Sequence, residues 1–369
     1  WEAFVPHPAR MPAHGSEWCH GAGGADQPGG AGGPGTVRRV RDWVVAADDR
    51  TGAFEVAALF AAVVGPVVVS VGQPVTGPCV VDIRSRDVTP QAAAARAAAI
   101  EAQPSTWTAH KMDSTLRGNW AVEVSARRAR TGRRLVVLPG WPELGRTCIG
   151  GSVFVHGAAI GSVLEPLPGA TSVGSVDGLR AWLAGDDPIA VCDVPDTATM
   201  HALAATVAST DVLVAGPAGP LGAVFAARAG TGPGAPGTAP TIDGPVLVVC
   251  GSANPVSRIQ VARLAAARPD VVVMTAPDAQ GPLHVGVAQH LAVAADRAAT
   301  DLGPTTVIII GGDTAAAFLG DEPRRIGGMV AAGMPWSRAG DDGGPLVVTK
   351  AGGFGGPDAL VALLSPRSA

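Results

Sequence analysis

From residue 43 onward, short apolar runs alternate with longer segments of helical spacing. WVVAA (43–47) is a continuous apolar run of strand length, and FEVAALFAAVV (54–64) follows with the spacing of a helix. PVVVSVG (66–72) and PCVVDIRSR (78–86) read as strands. TPQAAAARAAAIEA (89–102) predicts a helix, with Thr89 as its cap, Pro90 at the first helical position and alanines in the body. Next come a helix around 120–131, a strand in RLVVLPG, a strand in PIAVCDV, a helix near 197–208 and a strand in DVLVAGPAG. Residues 228–245, RAGTGPGAPGTAPTIDGP, have no periodicity and read as a linker. The pattern then restarts: VLVVCGS, a helix opened by Pro255, VVVMTAP, a long helix near 286–302, TVIIIGG, a short helix, LVVTKAGG and a final helix.

Alternating strands and helices of this kind imply a mainly parallel sheet with helices on its faces. The expected fold class is α/β: two α/β domains, each with a mainly parallel sheet flanked by helices, joined by the Gly/Pro-rich linker. The expected limits are 37–227 and 246–369. Residues 1–36 contain GAGGADQPGGAGGPG and no apolar signal core, and are expected to be a disordered leader or an extension.

Composition narrows the classes of function. The chain has 369 residues, 47% of them apolar and 16% charged, which suits a soluble globular protein of two domains. Net charge is −4, and the basic stretches VRRVR (37–41) and RRARTGRR (127–134) are short. That argues against a nucleic-acid partner, which needs clustered cations. The five cysteines (Cys19, Cys79, Cys148, Cys192, Cys250) form no CxxC pair and no zinc pattern, as expected in a reducing cytoplasm. No apolar run reaches the ~20 residues that span a bilayer.

The candidate chemistry lies just after the strands. In the second domain three strands end in glycine turns: Gly251-Ser252, Gly311-Gly312 followed by Asp313-Thr314, and Gly352-Gly353. A helix N-terminus offers unpaired N–H groups, and glycine lets that backbone approach a phosphate closely. Three such turns on one sheet edge suit a nucleotide, with Asp313 placed to orient a magnesium-bound water. There is neither a GxxxxGK[ST] loop nor a GxGxxG turn after a strand. In the first domain, Asp48 and Asp49 close the first strand. DIRSRD adds Arg84 and Arg86. HKMDSTLRGN (110–119) packs Lys111, Asp113, Ser114, Thr115, Arg117 and Asn119 into ten residues, and LPGWPELGRTCIGG adds Glu143 and Arg146. Cations beside hydroxyl and amide groups suit a small hydroxylated anion. Asp193 and Asp196 in CDVPD fit a structural and a functional role equally.

ADDRTGA, DIRSR, KMDSTLRGN, PGWPELGRTCIGG, CDVPD, GSANPVSR, GGDTAAA and KAGGFGG, in that order, resemble the four-carbon acid sugar kinase family over nearly the whole chain from residue 43. The resemblance implies an N-terminal domain that binds a sugar acid and a C-terminal domain that binds ATP. It implies transfer of the γ-phosphoryl group to the terminal hydroxyl of a threonate, erythronate or oxo-tetronate. It places Asp49, Arg86 and the segment Lys111 to Ser114 at the substrate, and Ser252, Gly311 to Thr314 and Gly352 at the nucleotide. Residue reading and resemblance together give Asp49 and Asp113 as candidate catalytic bases, with Asp49 favoured. They give Asp48, Arg86, Lys111, Met112, Ser114 and Arg117 as substrate-binding candidates. The nucleotide-binding candidates are Ser252, Gly311, Gly312, Asp313, Thr314, Gly352 and Gly353, with no direct protein metal ligand.

The expected cofactors are ATP and Mg²⁺. The expected partners are the small-molecule sugar acid and ATP, with a homodimer allowed and neither nucleic acid nor membrane. Because side chains alternate along a strand, Asp49 is assigned to the substrate and Asp48 to the turn. Three departures stand out. The family usually has an apolar residue at Arg50, Asn-Asp-Thr or similar at Phe54-Glu55-Val56, and Asn at Gly353. Arg50 is therefore the first place to expect altered specificity. The alternatives are a non-catalytic sugar-acid sensor and a kinase for another hydroxy acid. An aspartate-nucleophile phosphatase ranks low, because it needs acids one residue apart and Asp48 and Asp49 are adjacent.

Overall fold

The computed structural model describes residues 42–102, 105–231, 239–277, 285–338 and 344–365. The expected leader at 1–36 and part of the expected linker lie outside these residues.

The N-terminal half runs β1 (Trp43–Ala47), α1 (Arg50–Val64), β2 (Val67–Val71), β3 (Cys79–Asp82), α2 (Pro90–Ala99), β4 (Trp107–Lys111), α3 (Trp120–Thr131) and β5 (Leu135–Val137). A separate antiparallel sheet follows, β6 (Arg146–Ile149), β7 (Ser152–Val155) and β8 (Ala158–Ser162). The half closes with β9 (Thr171–Val173), α4 (Val176–Ala184), β10 (Ile189–Cys192), α5 (Thr197–Val207), β11 (Leu213–Gly216) and α6 (Ala218–Arg228). The C-terminal half runs β12 (Val246–Cys250), α7 (Pro255–Ala267), β13 (Val272–Thr275), α8 (Val285–Leu302), β14 (Thr306–Ile310) and α9 (Gly312–Leu319). It ends with β15 (Arg324–Ala331), β16 (Met334–Arg338), β17 (Leu346–Lys350) and α10 (Ala359–Leu364).

Two parallel halves appear as the sequence predicts, but they are one sheet. Fourteen strands follow the order β13-β12-β14-β17-β16-β15-β2-β3-β1-β4-β11-β5-β10-β9. The join is antiparallel: β15 pairs with β2, Arg324 opposite Val69 and Ile326 opposite Val67. β16 pairs antiparallel with both β15 and β17. The hairpin β15–β16 is thus the seam, and sequence reading passes over it because RRIGGMVAAGMPWSR lacks a clear apolar run. Its glycines have a packing cause. A Cβ on Gly327 would stand 2.2 Å from the Trp336 ring, so glycine lets the indole lie across the strand.

Why the first strand sits where it does follows from its surroundings. All five residues of β1 are buried, as in a parallel strand covered on both faces. On one face α1 and α6 pack through Phe60 stacked on Phe225 at 3.9 Å, with Trp43 edge-on to both and Trp107 alongside. Such ring pairs add ~0.5–1.5 kcal/mol each beyond area burial. One apolar cluster joins these rings to Leu247, Ala315, Ile326 and Val347 of the C-terminal half. Helix α1 touches β2 and β3 of its own half and β15 and α9 of the other, so the two halves do not have independent cores. Among the described residues, no helix is long and apolar enough to cross a membrane.

Candidate functional site

β1, β3 and β4 are neighbours in parallel register, so Asp48, the loop after Asp82 and the loop after Lys111 emerge at one sheet edge. Arg86 collects them. Its Nε donates to Asp48 Oδ2 at 2.8 Å, Nη1 to Asp49 Oδ2 at 2.5 Å, and Nη2 lies 3.2 Å from Asp113 Oδ2. Asn119 then fixes the Arg86 loop, donating to the carbonyls of Ser85 and Val88 at 2.8 and 2.9 Å.

The two adjacent acids divide their work differently from the expectation. Asp49, not Asp48, braces the turn: it is the N-cap of α1, extended in backbone, and Oδ1 accepts from Gly52 N–H at 2.8 Å. Its other oxygen meets Arg86 and faces the C-terminal half. Asp48 is buried, and its Oδ1 has no partner among the described residues. Burial, then repulsion from Asp49, pushes the Asp48 carboxyl up to about 7, against the pull of Lys111 and Arg86.

HKMDSTLRGN is a tight polar knot. Asp113 is desolvated, yet it accepts from Arg117 at 2.6 Å and from Thr115 N–H at 2.8 Å. Arg117, Arg86 and Lys111 outweigh its desolvation and hold it far below the usual carboxylate range. That makes Asp113 a weak base, against its place among the catalytic candidates. Met112 is fully enclosed in the apolar core, so its expected contact with substrate is corrected: it anchors the loop from beneath. Ser114 is half-buried and Arg117 exposed. Lys111 is 4% exposed and makes no ion pair among the described residues. Its amine lies over the first turn of α1, where a Cβ on Gly52 would stand 2.7 Å from Nζ.

Beneath the knot, His110 meets Glu123 at 2.9 Å with both fully buried, and Arg127 holds Glu101. His110 lies on β4 and Glu123 and Arg127 on α3, the two elements that bracket the loop, and Glu101 just follows α2. Sequence reading missed them, because one charge per helical turn looks like a solvated face. Arg50 is also other than expected. It is buried, with Nε on Asp82 at 2.9 Å and Nη1 on the Gly320 carbonyl at 2.9 Å, so it ties the halves together. Asp196 caps α5 and Asp193 accepts from Gly151 N–H, a structural contact for each.

In the C-terminal half, the three glycine turns leave the ends of β12, β14 and β17, which are adjacent in the sheet. Backbone bonds from Gly251 N–H to the Ile310 carbonyl and from Gly311 N–H to the Lys350 carbonyl, each 3.0 Å, lock them side by side. Gly311 has φ +114°, a backbone that only glycine adopts without strain. As N-cap of α9 it supplies no side-chain cap, which leaves the first N–H groups of that helix for a ligand. A Cβ on Gly251 would stand 1.9 Å from Thr314 Oγ1, and one on Gly352 2.6 Å from Ser252 Oγ. Gln260 holds the loop after Gly353 by donating to the carbonyls of Phe354, Gly355 and Gly356. Lys350, not foreseen as a site residue, is buried and donates to the Ala351 carbonyl at 3.0 Å. Desolvation pulls it down to about 8.

The two sets face each other. A Cβ on Gly312 would stand 2.9 Å from Thr51 Oγ1 and 3.8 Å from Asp49 Oδ2, so the N-termini of α1 and α9 meet across the seam. A cavity of about 230 Å³ opens beside them, lined by Asp49, Arg86, Asp87, Gly312 and Asp313 among others. Asp313 is raised by partial desolvation and by repulsion from Asp87 and Asp49. A second cavity of about 270 Å³ lies at the other edge of the sheet, by the start of β12, away from these groups.

Two domain models match the chain. A model for a sugar-binding N-terminal domain matches residues 43–168, and one for a nucleotide-binding C-terminal domain matches residues 276–360. A D-threonate kinase of Cupriavidus necator is 34% identical over 268 residues, covering 60% of this chain. The match spans 63% of that protein's length. Haemophilus influenzae protein HI1011 shares the fold with a TM-score of 0.61 at 21% identity, over 85% of this chain and 97% of that one. A Salmonella typhimurium LT2 protein described as a candidate tRNA synthase does so with a TM-score of 0.64 at 20% identity, over 86% and 98%.

Proposed function

Because the chain belongs to the four-carbon acid sugar kinase family, we propose that it transfers the γ-phosphoryl group of ATP to the terminal hydroxyl of a four-carbon sugar acid. The observation that carries this reading is the meeting of α1 and α9, with Asp49 and Thr51 against Gly312. Phosphates held by the uncapped N-terminus of α9 would point at an acceptor held beside Asp49. Phosphoryl transfer asks mainly for such positioning and for charge neutralisation. The activity of the Cupriavidus relative on threonate supports the substrate class.

In this reading the sugar acid's carboxylate lies against Lys111, a buried ammonium that lacks an ion pair among the described residues. Arg86 is held by three aspartates, so it organises the site rather than gripping substrate alone. Ser114 and Arg117 line the approach. Ser252, Gly311 to Thr314, Gly352 and Gly353 form the nucleotide cradle. Mg²⁺ fits the donor set: Asp313 and Asp87 repel each other across the cleft, a strain a cation relieves. No group of three or more ligand side chains converges among the described residues. Bound there, Mg²⁺ would neutralise phosphate charge.

An ATP-consumption screen over D- and L-threonate, D- and L-erythronate and their 2- and 3-oxo relatives tests the proposal. Turnover with at least one of them, and none with free sugars, is expected. Nucleotide binding without turnover on any acid would reject it in favour of a sensor.

A further inference from the structure

A hydroxyl that attacks phosphorus must lose its proton to a base. The carboxylates singled out by the sequence are poorly free for that task. Asp48 is buried on Arg86, Asp49 is committed to the Gly52 cap and to Arg86, and Asp113 is clamped by Arg117 and Thr115. Glu55 is a further carboxyl, which sequence reading noted only as a departure from the family pattern.

Glu55 is 7% exposed in α1, yet it has no hydrogen bond or ion pair among the described residues. It follows Gly52 by three residues, so the two share a helix face. Helical side chains lean toward the N-terminus, which directs the Glu55 carboxyl toward the turn of Gly52, within electrostatic reach of Lys111 and Asp49. That is where the Lys111 amine ends, 2.7 Å from the place a Gly52 Cβ would take and beside Asp49 Oδ1 at 2.8 Å from it. The missing side chain of Gly52 makes the room. A buried ammonium and a buried carboxyl, close but not bonded to each other, are costly to maintain without a partner. A ligand carrying both a hydroxyl and an anion satisfies both. The other charged groups facing Glu55 are Asp49 at the start of its own helix, Asp113 in the loop after β4 and Arg146 at the start of β6. Arg146 in turn lies over the Phe354 ring, 5.6 Å from its centroid, and so links this pocket to the nucleotide loop.

We infer that Glu55 is the acid that accepts a hydrogen bond from the substrate's terminal hydroxyl and takes its proton during transfer. This rests on the kinase reading above. The acceptor oxygen forms a bond to the γ-phosphorus as the bond from that phosphorus to the β–γ bridging oxygen breaks. The electron pair of the broken bond leaves with ADP, the hydroxyl proton moves to Glu55, and solvent removes it after product release. Burial, the largest influence, raises the Glu55 carboxyl to about 7 against the pull of Lys111. A group balanced near neutrality suits a base that must take up and release a proton in each cycle.

The test uses the full chain with Glu55→Gln and Glu55→Asp. E55Q should lower kcat by about 100-fold or more with ATP affinity, measured by calorimetric titration, unchanged. Wild-type kcat should rise with pH through about 7, and E55Q should lack that limb. E55D should recover at least about tenfold over E55Q, since a general base tolerates a shorter reach better than loss of the carboxylate. E55Q turnover within about threefold of wild type, with the pH limb intact, overturns the inference and leaves the kinase reading standing. So does loss of the limb in Asp49→Asn but not in E55Q. A wild-type protein that phosphorylates no acid removes both.

Discussion

The two faces of the cleft are built from opposite materials. On the side of the sugar-binding domain the cleft is built from charged side chains, many of them buried: Asp48, Asp49, Arg86, Lys111, Asp113 and, in our proposal, Glu55. On the other side it is built from backbone, exposed by glycines at the ends of β12, β14 and β17. Buried charges hold one another in place, so each depends on the identity of its neighbours. A glycine cradle is indifferent to side-chain chemistry and depends on φ and on clearance. The first surface can be retuned among acids by exchanging a residue. The second, in the proposed reading, would suit phosphate, which every nucleotide carries.

If this contrast is right, each face should fail in its own way. Gly52→Ala should do most damage, because the new Cβ meets Lys111 Nζ and Asp49 Oδ1 inside van der Waals distance. It should cost about 100-fold in kcat/KM for the acid, the scale of a 1 Å misplacement, and leave nucleotide affinity unchanged in a titration. Gly311→Ala should do the reverse. Its φ of +114° strains an alanine, and the Cβ would approach Ser252 N at 3.2 Å. Nucleotide Kd should rise at least about tenfold, since ~1–3 kcal/mol of strain enters the bound backbone, while acid binding holds. Equal damage to both ligands by either variant would break the contrast.

Arg50→Leu probes what spans the two faces. It would leave Asp82 buried with no cation, a loss of ~3 kcal/mol in urea unfolding, and should move the KM of both ligands together. A smaller effect follows from titration. Asp48 and Glu55 are raised to about 7 from 3.8 and 4.5. A carboxyl raised by folding stabilises fully below its unfolded value and loses that contribution as pH climbs through its folded value. Stability should therefore fall between pH 4 and pH 8, and E55Q should flatten the fall, gaining ~1–3 kcal/mol at pH 8. The smallest effect is expected where charge is solvated. Arg263→Ala removes an exposed pair with Asp358 and should change stability by less than ~0.5 kcal/mol.

The strands and helices that carry the site were legible because both code locally. β1, α2, α7 and β14 announce themselves by apolar runs, a Thr or Asn cap and a proline at the first turn. The glycine turns were legible for the same reason: positive φ and close approach restrict the residue at that point. Less legible were β15 and β16, where a tryptophan lying over Gly327 replaces the usual apolar alternation. The turn falls to Asp49 and not to Asp48 because strand alternation ends where the helix cap begins. Met112 looked like substrate contact by its neighbours in sequence, but its side chain follows the strand into the core. Glu55 read only as a departure from the family pattern, and Arg50 as a specificity position instead of a tie between the halves.

By itself, then, the sequence determined the α/β alternation, the strand-end positions of the acids and glycines, and the family to which the chain belongs. These depend on neighbours within about a turn of helix or a strand's length. Tertiary structure alone decided that the two halves share one sheet through β2 and β15. It also decided that the starts of α1 and α9 meet, that Arg50 fastens the halves, and that the Lys111 amine ends above Gly52, within electrostatic reach of Glu55. Each of these is a contact between residues far apart in the chain. Which partner a buried charge finds is set by packing and desolvation, and no local pattern encodes it.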